Sequence, residues 1–147
     1  GTDEAALTEI ICIKTKPELD DIKKVYKQEY KKDLMKEIKK ETSGDLRDIF
    51  VQQISDKKEK EAKVNEAKAK QDAKDLHENP SPALLKQIFQ NHFTATADAY
   101  RRLYNEDISV PIKKVCPGEV GSAYSALAKE DSAVFFAEKL KNAMNGI

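Results

Sequence analysis

The stretch that decides the fold is residues 1–50, which read GTDEAALTEIICIKTKPELDDIKKVYKQEYKKDLMKEIKKETSGDLRDIF. Apolar residues recur in it every three to four positions, the spacing that places them on one side of an α-helix. GTDE opens the stretch, and ETSGD (residues 41–45) stands near its end. The pattern predicts short amphipathic helices, and a bundle of such helices allows the opening loop and the acid Glu41 to meet at one end. Such a meeting of loop and carboxylate suits a hard cation.

Cap residues predict where these helices begin. Thr2 is a suitable N-cap for a first helix over residues 3–14, and acidic residues follow it where the helix dipole favours negative charge. Residues 15–18, TKPE, combine a capping box with a proline near the helix start and open the second helix. Apolar residues within 34–38 mark a short third helix, and TSGD over 42–45 restarts the chain for a fourth.

Composition limits the class of protein. The chain has 147 residues, of which 39% are hydrophobic and 35% charged, with only five glycines and five prolines. These values predict a modest core surrounded by surface helices, and therefore an all-α fold. Residues 1–60 carry 14 basic and 14 acidic side chains, and residues 61–147 carry 12 of each. This neutrality argues against nucleic-acid binding and against simple electrostatic adsorption to an anionic membrane.

Two cysteines indicate the redox environment in which the protein works. Cys12 and Cys116 stand in apolar helical patterns without a CxxC spacing or a neighbouring histidine, so we expect buried free thiols and a reducing, cytoplasmic environment. No apolar run approaches the length of a membrane span, and the N-terminus lacks a signal-peptide pattern. The chain begins abruptly at a helix-start signal, from which we expect it to be a piece of a longer protein.

The remainder of the chain repeats the opening pattern. A charged segment over 55–61 reads as a linker, residues 62–77 as a weakly apolar helix, and the NPSP of residues 79–82 as a break. Beyond the break, a shift of 78 residues without a gap pairs residues of like character. The pairs are Leu7 with Leu85, Ile10 with Ile88, Ile11 with Phe89, Ile22 with Tyr100, Val25 with Leu103, Tyr26 with Tyr104, Leu34 with Ile112, Ile38 with Cys116, Glu41 with Glu119, Leu46 with Tyr124, and Ile49 with Leu127.

This repetition predicts tandem helical units. We divide the chain into a first unit over 1–54, the linker over 55–61, a second unit over 62–128 and the start of a third over 129–147. A last helix from Ser132 to Met144 would open that third unit.

These residues resemble the annexin family. The resemblance rests on the GTDE loop, the Lys-Thr stop at 14–15, the Val-Tyr pair at 25–26 and the acid before TSGD. VNEAKAKQDAKDLHE is similar to the opening helix of a third annexin repeat, and FFAEKLKNAMNGI to the opening helix and loop of a fourth. The resemblance covers essentially the whole chain. It implies tandem repeats of four to five short helices, arranged as orthogonal and antiparallel bundles.

The resemblance also implies calcium sites that hold anionic phospholipid peripherally. In that family a calcium ion lies between a glycine-containing loop and an acid at the junction of a repeat's last two helices. Carried onto this sequence, Gly1 supplies a loop carbonyl and Glu41 the bidentate carboxylate, while the Thr2 carbonyl and the Glu4 carboxylate form a weaker neighbouring site. Calcium favours six to eight oxygen ligands, and bound metal gives a neutral protein a way to hold lipid phosphate.

The sequence departs from the family pattern at other loops. Met144 and Gly146 match the first carbonyl positions of a loop whose remainder and acid are absent, and the residues that would precede Gly1 are absent as well. We therefore expect weak or undetectable calcium binding by this chain at millimolar calcium. The middle repeat has NPSP instead of Gly-Thr, and we expect it to bind no calcium although Glu119 occupies the acid's place.

Other functions have less support. A calcium-independent helical scaffold for protein–protein interaction is the alternative from a different class. His77 and His92 lie in unrelated helical patterns, with no nucleophile or carboxylate arranged to make either a base, so we expect both to be structural or exposed. No glycine-rich phosphate loop is present, and we expect no enzymatic activity. The tyrosines and phenylalanines read as core, and the charged side of the second helix reads as a solvated face.

Without an opening helix in the first repeat, we expect Leu7, Ile10 and Phe50 to be partly uncovered and to favour self-association.

Overall fold

The computed structural model describes residues 2–55 and 65–145, and gives the backbone alone for 130–135 and 138. Within these ranges the chain is all-α and has no strand. The helices are α1 (Glu4–Ile11), α2 (Lys16–Tyr30), α3 (Leu34–Glu41), α4 (Gly44–Ile54), α5 (Glu66–Glu78), α6 (Pro82–Asn91), α7 (Phe93–Tyr104), α8 (Ser109–Val115) and α9 (Glu119–Met144). No helix in these ranges is both long enough and apolar enough to cross a bilayer. The predicted linker lies outside the described residues except for Ser55.

The predicted caps are found at α2 and α6 but not at α1 or at α4, where Ser43 precedes the helix without a side-chain capping bond. The capping box at Thr15 is confirmed, because its hydroxyl accepts the Glu18 N–H and the Glu18 carboxylate accepts the Thr15 N–H. Ser81 caps α6 with Pro82 at the first helical position, also as predicted. At α1 the prediction is wrong by one residue: Asp3, not Thr2, accepts the capping N–H. Thr2 is thereby left outside the helix.

Both halves of the chain share one core. The buried side chains of α1 and α4 join those of α6, α7, α8 and α9 in a single hydrophobic cluster. Helix α9 packs against α1 and α4 of the first half and against α7 and α8 of the second. The predicted separate helix beginning at Ser132 is wrong, because residues 119–144 form one continuous helix. The predicted boundary at residue 129 falls inside that helix.

Burial corrects several expectations about apolar residues. Phe50 is fully buried, not partly uncovered, because α9 packs on α4. Ile10 is 43% exposed, as expected. The second helix buries only Leu19 of its apolar stripe, and Tyr30 is 64% exposed, so the tyrosines are not all core. Of the two free cysteines, Cys12 is buried and Cys116 is half-buried.

The repeat register also differs from the predicted one. The 78-residue shift holds for α1 and α6, whose capping residues are Asp3 and Ser81. After α1 and α6, the residues that occupy equivalent positions in the two repeats are 74 apart in sequence. Lys31 and Asn105 both end helices in the left-handed conformation, and Gly44 and Gly118 both have positive φ. Burial agrees with this register, as in the buried pairs Leu19 and Phe93, Ile38 and Ile112, Phe50 and Tyr124, and Ile54 and Ala128.

The change of register has a simple physical origin. Residues 12–15 join α1 to α2, whereas His92 alone joins α6 to α7, which makes the second junction three residues shorter. In addition, α7 is three residues shorter than α2 and α6 is two residues longer than α1, so the total change is four residues. The ungapped alignment is therefore wrong for the second to fourth helices of each repeat, where side chains four residues apart share a helix face and so keep a similar apolar pattern.

Candidate calcium site

The predicted meeting of the opening loop with the distant acid is confirmed. Glu41 is the last residue of α3, and its carboxylate is exposed. The Thr2 hydroxyl donates a hydrogen bond of 3.1 Å to Glu41 Oε2 across a separation of 39 residues. Helices α1 and α3 thus bring the N-terminal loop and the acid to one end of the bundle. That these residues bind calcium stays a prediction.

The turn after Glu41 is held by bonds to its backbone. Thr42 is buried, and its hydroxyl donates to the Ile38 carbonyl at 2.6 Å. Arg47 Nε donates to the Thr42 carbonyl at 2.7 Å. Gly44 has φ +61, which a glycine adopts without the steric cost of a Cβ. These interactions fix the direction in which the chain leaves α3 and hold Glu41 facing solvent.

Several oxygen atoms at this end of the bundle remain available. The Thr2 carbonyl accepts no hydrogen bond from the described residues. Glu4 begins α1 with an exposed carboxylate, although its own carbonyl accepts from the Thr8 hydroxyl. Asp3 is committed to the helix, since its carboxylate caps Ala6 and its carbonyl accepts from Leu7.

This donor set fits a hard cation. The exposed Glu41 carboxylate, and beside it the Thr2 carbonyl and the Glu4 carboxylate, offer oxygen atoms of the kind that calcium prefers as ligands. No group of three or more histidine, cysteine or acidic side chains arranged to hold a metal occurs in the described ranges. Any ion here would therefore depend on backbone carbonyls and water as well as on side chains.

The remaining predicted ligands are placed as follows. Gly1 and Gly146 lie outside the described residues. Met144 is the last residue of α9 and is 79% exposed. No hydrogen bond within the described chain joins it to the Thr2–Glu41 pair. The structure therefore brings together Thr2 and Glu41 and places Glu4 two residues after Thr2.

The second repeat has no acid at the corresponding position. In the 74-residue register, Val115 at the end of α8 corresponds to Glu41 at the end of α3. Glu119 follows Gly118 and begins α9, so its predicted place as the equivalent acid is wrong. The residues before α6 are Asn79, Pro80 and Ser81, and Ser81 uses its hydroxyl to cap Leu84.

Comparisons with known proteins agree with this architecture. A family model described as Annexin matches residues 1–52. Mouse annexin A13 is 31% identical over 160 aligned positions, which take in 100% of this chain and 50% of that protein. Human annexin A4 is 29% identical, again over 100% of this chain and 50% of the relative. The chain therefore spans about half the length of these curated relatives.

Solved structures give the same result. Chicken annexin V at 2.25 Å resolution superposes with a TM-score of 0.70 at 28% identity, covering 98% of this chain and 49% of that one. A structure of annexin A8 carrying a K16A substitution gives a TM-score of 0.70 at 29% identity, with coverage of 98% and 49%. The sequence signature at the N-terminus, the helical architecture and these relatives lead to one conclusion: the chain belongs to the annexin family.

Proposed function

We propose that the protein binds anionic phospholipid membranes peripherally through calcium, and that Glu41 supplies the carboxylate of one calcium site. The observation that carries the proposal is the 3.1 Å hydrogen bond from Thr2 to Glu41, which holds the opening loop against the acid. Calcium and phospholipid binding are general properties of the annexin family. The proposed role is therefore binding at the cytoplasmic surface of a membrane and not catalysis.

The chemistry follows from the charges present. The formal net charge is +0 at pH 7, so the chain as a whole has no field that would gather lipid phosphate. A divalent cation held at Glu41 supplies a concentrated positive charge at one point. Because calcium accepts six to eight oxygens, a few protein ligands leave coordination positions for phosphate oxygens or water. The Thr2 carbonyl and the Glu4 carboxylate are the neighbouring groups for a second, weaker ion.

Vesicle sedimentation tests the proposal. The 147-residue chain, and the longest natural chain that carries it, are pelleted with phosphatidylserine vesicles in millimolar calcium and in excess chelator. We expect calcium to increase the pelleted fraction, more strongly for the longer chain, since further loop carbonyls would strengthen the site. Glu41→Gln removes the charge that the ion requires but keeps the shape of the side chain, so it should abolish the calcium-dependent part at this site.

Glu119→Gln is the matched control, because it neutralises an acid that the structure places at the start of α9. It should pellet as the unmodified protein does. Equal pelleting with calcium and with chelator in every variant would contradict the proposal, and no pelleting in either condition would favour the helical scaffold. Calorimetry gives a separate check, since a micromolar calcium site in the 147-residue chain would contradict the weak binding expected from the sequence.

A further inference from the structure

A cluster of exposed lysines lies where α2 turns into α3. Residues 23–40 contain eight lysines and three acidic residues, a formal net charge of +5 in a chain whose total is zero. We define the lysine corner as the five of these that are exposed in α2, in the turn and in the first part of α3: Lys24, Lys27, Lys31, Lys32 and Lys36. The neutrality of residues 1–60 taken together conceals this local excess.

The positive charge of the corner is not neutralised by close ion pairs. Within the described ranges, none of the five ammonium groups has a carboxylate oxygen within 4.0 Å. Lys24, Lys27 and Lys31 follow one side of α2, whereas the spacing of Glu29 puts it on the opposite side. Asp33 uses its carboxylate to cap α3, where it accepts the N–H groups of Met35 and Lys36 at 2.8 and 3.4 Å.

The corner is separate from the candidate calcium site. Lys31 and Lys32 precede the first residue of α3, while Glu41 is its last residue. At about 1.5 Å per helical residue, Lys31 and Lys32 lie roughly 12 Å from Glu41 along the axis of α3. Lys36 is five residues, or about 7.5 Å, from Glu41 along that axis, and its spacing puts it on the opposite side of the helix. At physiological ionic strength the Debye length is about 8 Å, so the four lysines before α3 are largely screened from Glu41, and Lys36 is screened in part. The corner can therefore attract anions without an ion at Glu41.

A membrane suits this surface better than a soluble polyanion does. Tyr30 stands three residues after Lys27 on α2 and is 64% exposed, with its ring centroid 4.9 Å from that of Tyr26. A tyrosine with a solvated hydroxyl and an apolar ring fits the boundary between headgroups and acyl chains, and lysines fit anionic headgroups around it. Nucleic-acid binding depends on many phosphate contacts, which a neutral chain with one basic corner supplies less readily.

We propose that the lysine corner is a second, calcium-independent contact surface for anionic phospholipid. This goes beyond the calcium-dependent binding proposed above and does not require it. Each lysine near an anionic surface contributes about 1 kcal/mol, so several together produce a measurable, salt-sensitive adsorption.

The test uses the full chain in excess chelator at low ionic strength. We expect it to pellet with mixed phosphatidylserine and phosphatidylcholine vesicles, to leave pure phosphatidylcholine vesicles unbound, and to be released by added salt. Lys24→Gln, Lys27→Gln and Lys32→Gln combined should weaken binding by on the order of tenfold or more. Lysine and glutamine have similar helix propensities, and circular dichroism verifies that the variant is folded.

The matched control is the combination of Lys70→Gln, Lys74→Gln and Lys113→Gln, three exposed lysines of α5 and α8. It makes the same change in net charge and should bind as the unmodified chain does. Equal losses in both triple variants, or no pelleting in chelator, would overturn the inference. So would lysine-dependent binding of a single-stranded oligonucleotide without binding to the vesicles. Glu41→Gln should not alter adsorption in chelator, so failure of the calcium site and failure of the corner are distinguishable.

Discussion

Asp72 Oδ2 lies 2.6 Å from His92 Nε2, and this pair joins α5 to the single residue between α6 and α7. Asp72 is 1% exposed, and its other oxygen accepts from Lys68 Nζ at 2.9 Å. Because a buried carboxylate is costly without partners, both interactions stabilise the packing of α5 on the rest of the second repeat. His92 was predicted to be structural or exposed, and the pair gives it a structural role, although the 20-residue separation from Asp72 hid the partner.

Replacing His92 should therefore destabilise the fold. His92→Ala leaves the Asp72 carboxylate buried with Lys68 as its remaining partner, and we expect a loss of about 3 kcal/mol in the free energy of unfolding. Urea denaturation followed by circular dichroism measures it. Lys70→Ala changes an exposed position of α5, the helix that carries Asp72, and should cost less than about 0.5 kcal/mol in the free energy of unfolding. A midpoint for His92→Ala equal to that of Lys70→Ala would show that the pair adds no stability.

Arg47 should influence calcium binding without being a ligand. Its Nε donates a hydrogen bond of 2.7 Å to the carbonyl of Thr42, the residue directly after Glu41. Arg47→Leu keeps an apolar stem but removes this bond, so the turn after α3 is less constrained and Glu41 is less well positioned. We expect a higher calcium concentration for half-maximal vesicle binding, with unchanged adsorption in chelator.

A stability control separates this effect from unfolding. The loss of one hydrogen bond should cost about 1 kcal/mol in the free energy of unfolding, and circular dichroism should show an intact fold. A folded Arg47→Leu protein with an unaltered calcium requirement would argue against the positioning role.

Gly121 should tolerate no side chain. A Cβ added there would lie 1.7 Å from the backbone carbonyl oxygen of Cys116, the residue that caps the C-terminal end of α8 just before α9 begins. Neither group is at the end of a flexible side chain, so the helices must separate. We expect Gly121→Ala to lose about 3 kcal/mol or more of stability, measured by urea denaturation. Ser122→Ala, at the adjacent exposed position of the same helix, is the control and should stay close to the unmodified protein.

Stability should fall at alkaline pH. Burial raises the pKa of the Cys12 thiol from 9.0 to about 12, and burial, followed by the charge of Asp45, raises the pKa of Tyr124 from 10.0 to about 12. The folded state thus holds both protons more tightly than the unfolded state does. Their contribution to stability is complete below pH 9 and is lost as the pH rises from about 9 to 12.

Cys12→Ala isolates the thiol's share of this effect. Unfolding free energies measured from pH 8 to pH 10 should decline less steeply in the variant, because the tyrosine contribution begins only near pH 10. The comparison uses slopes, so the small cavity left by the substitution does not affect it. Parallel declines in the two proteins would contradict the assignment to Cys12.

Local structure was largely predictable from the sequence. The helix starts at Thr15 and Ser81 depend on side chains that bond N–H groups three residues away, so local order determines them. The all-α class and the approach of Glu41 to the opening loop also followed, the latter because the family resemblance supplied a long-range relation that periodicity cannot. Shared helical periodicity hid the four-residue shortening between the start of α6 and the end of α7, and therefore the true counterpart of Glu41 in the second repeat.

The amino-acid sequence by itself determined which segments are helical and where most of them begin, because caps and apolar spacing act over a few residues. Only the tertiary structure decided which residues distant in sequence become neighbours: Thr2 with Glu41, Asp72 with His92, and α9 with both halves of the core. It also decided that Phe50 is covered and that Tyr30 is exposed beside a group of lysines. The physical reason is that burial and ion pairing depend on which helix faces meet, and no local pattern specifies that.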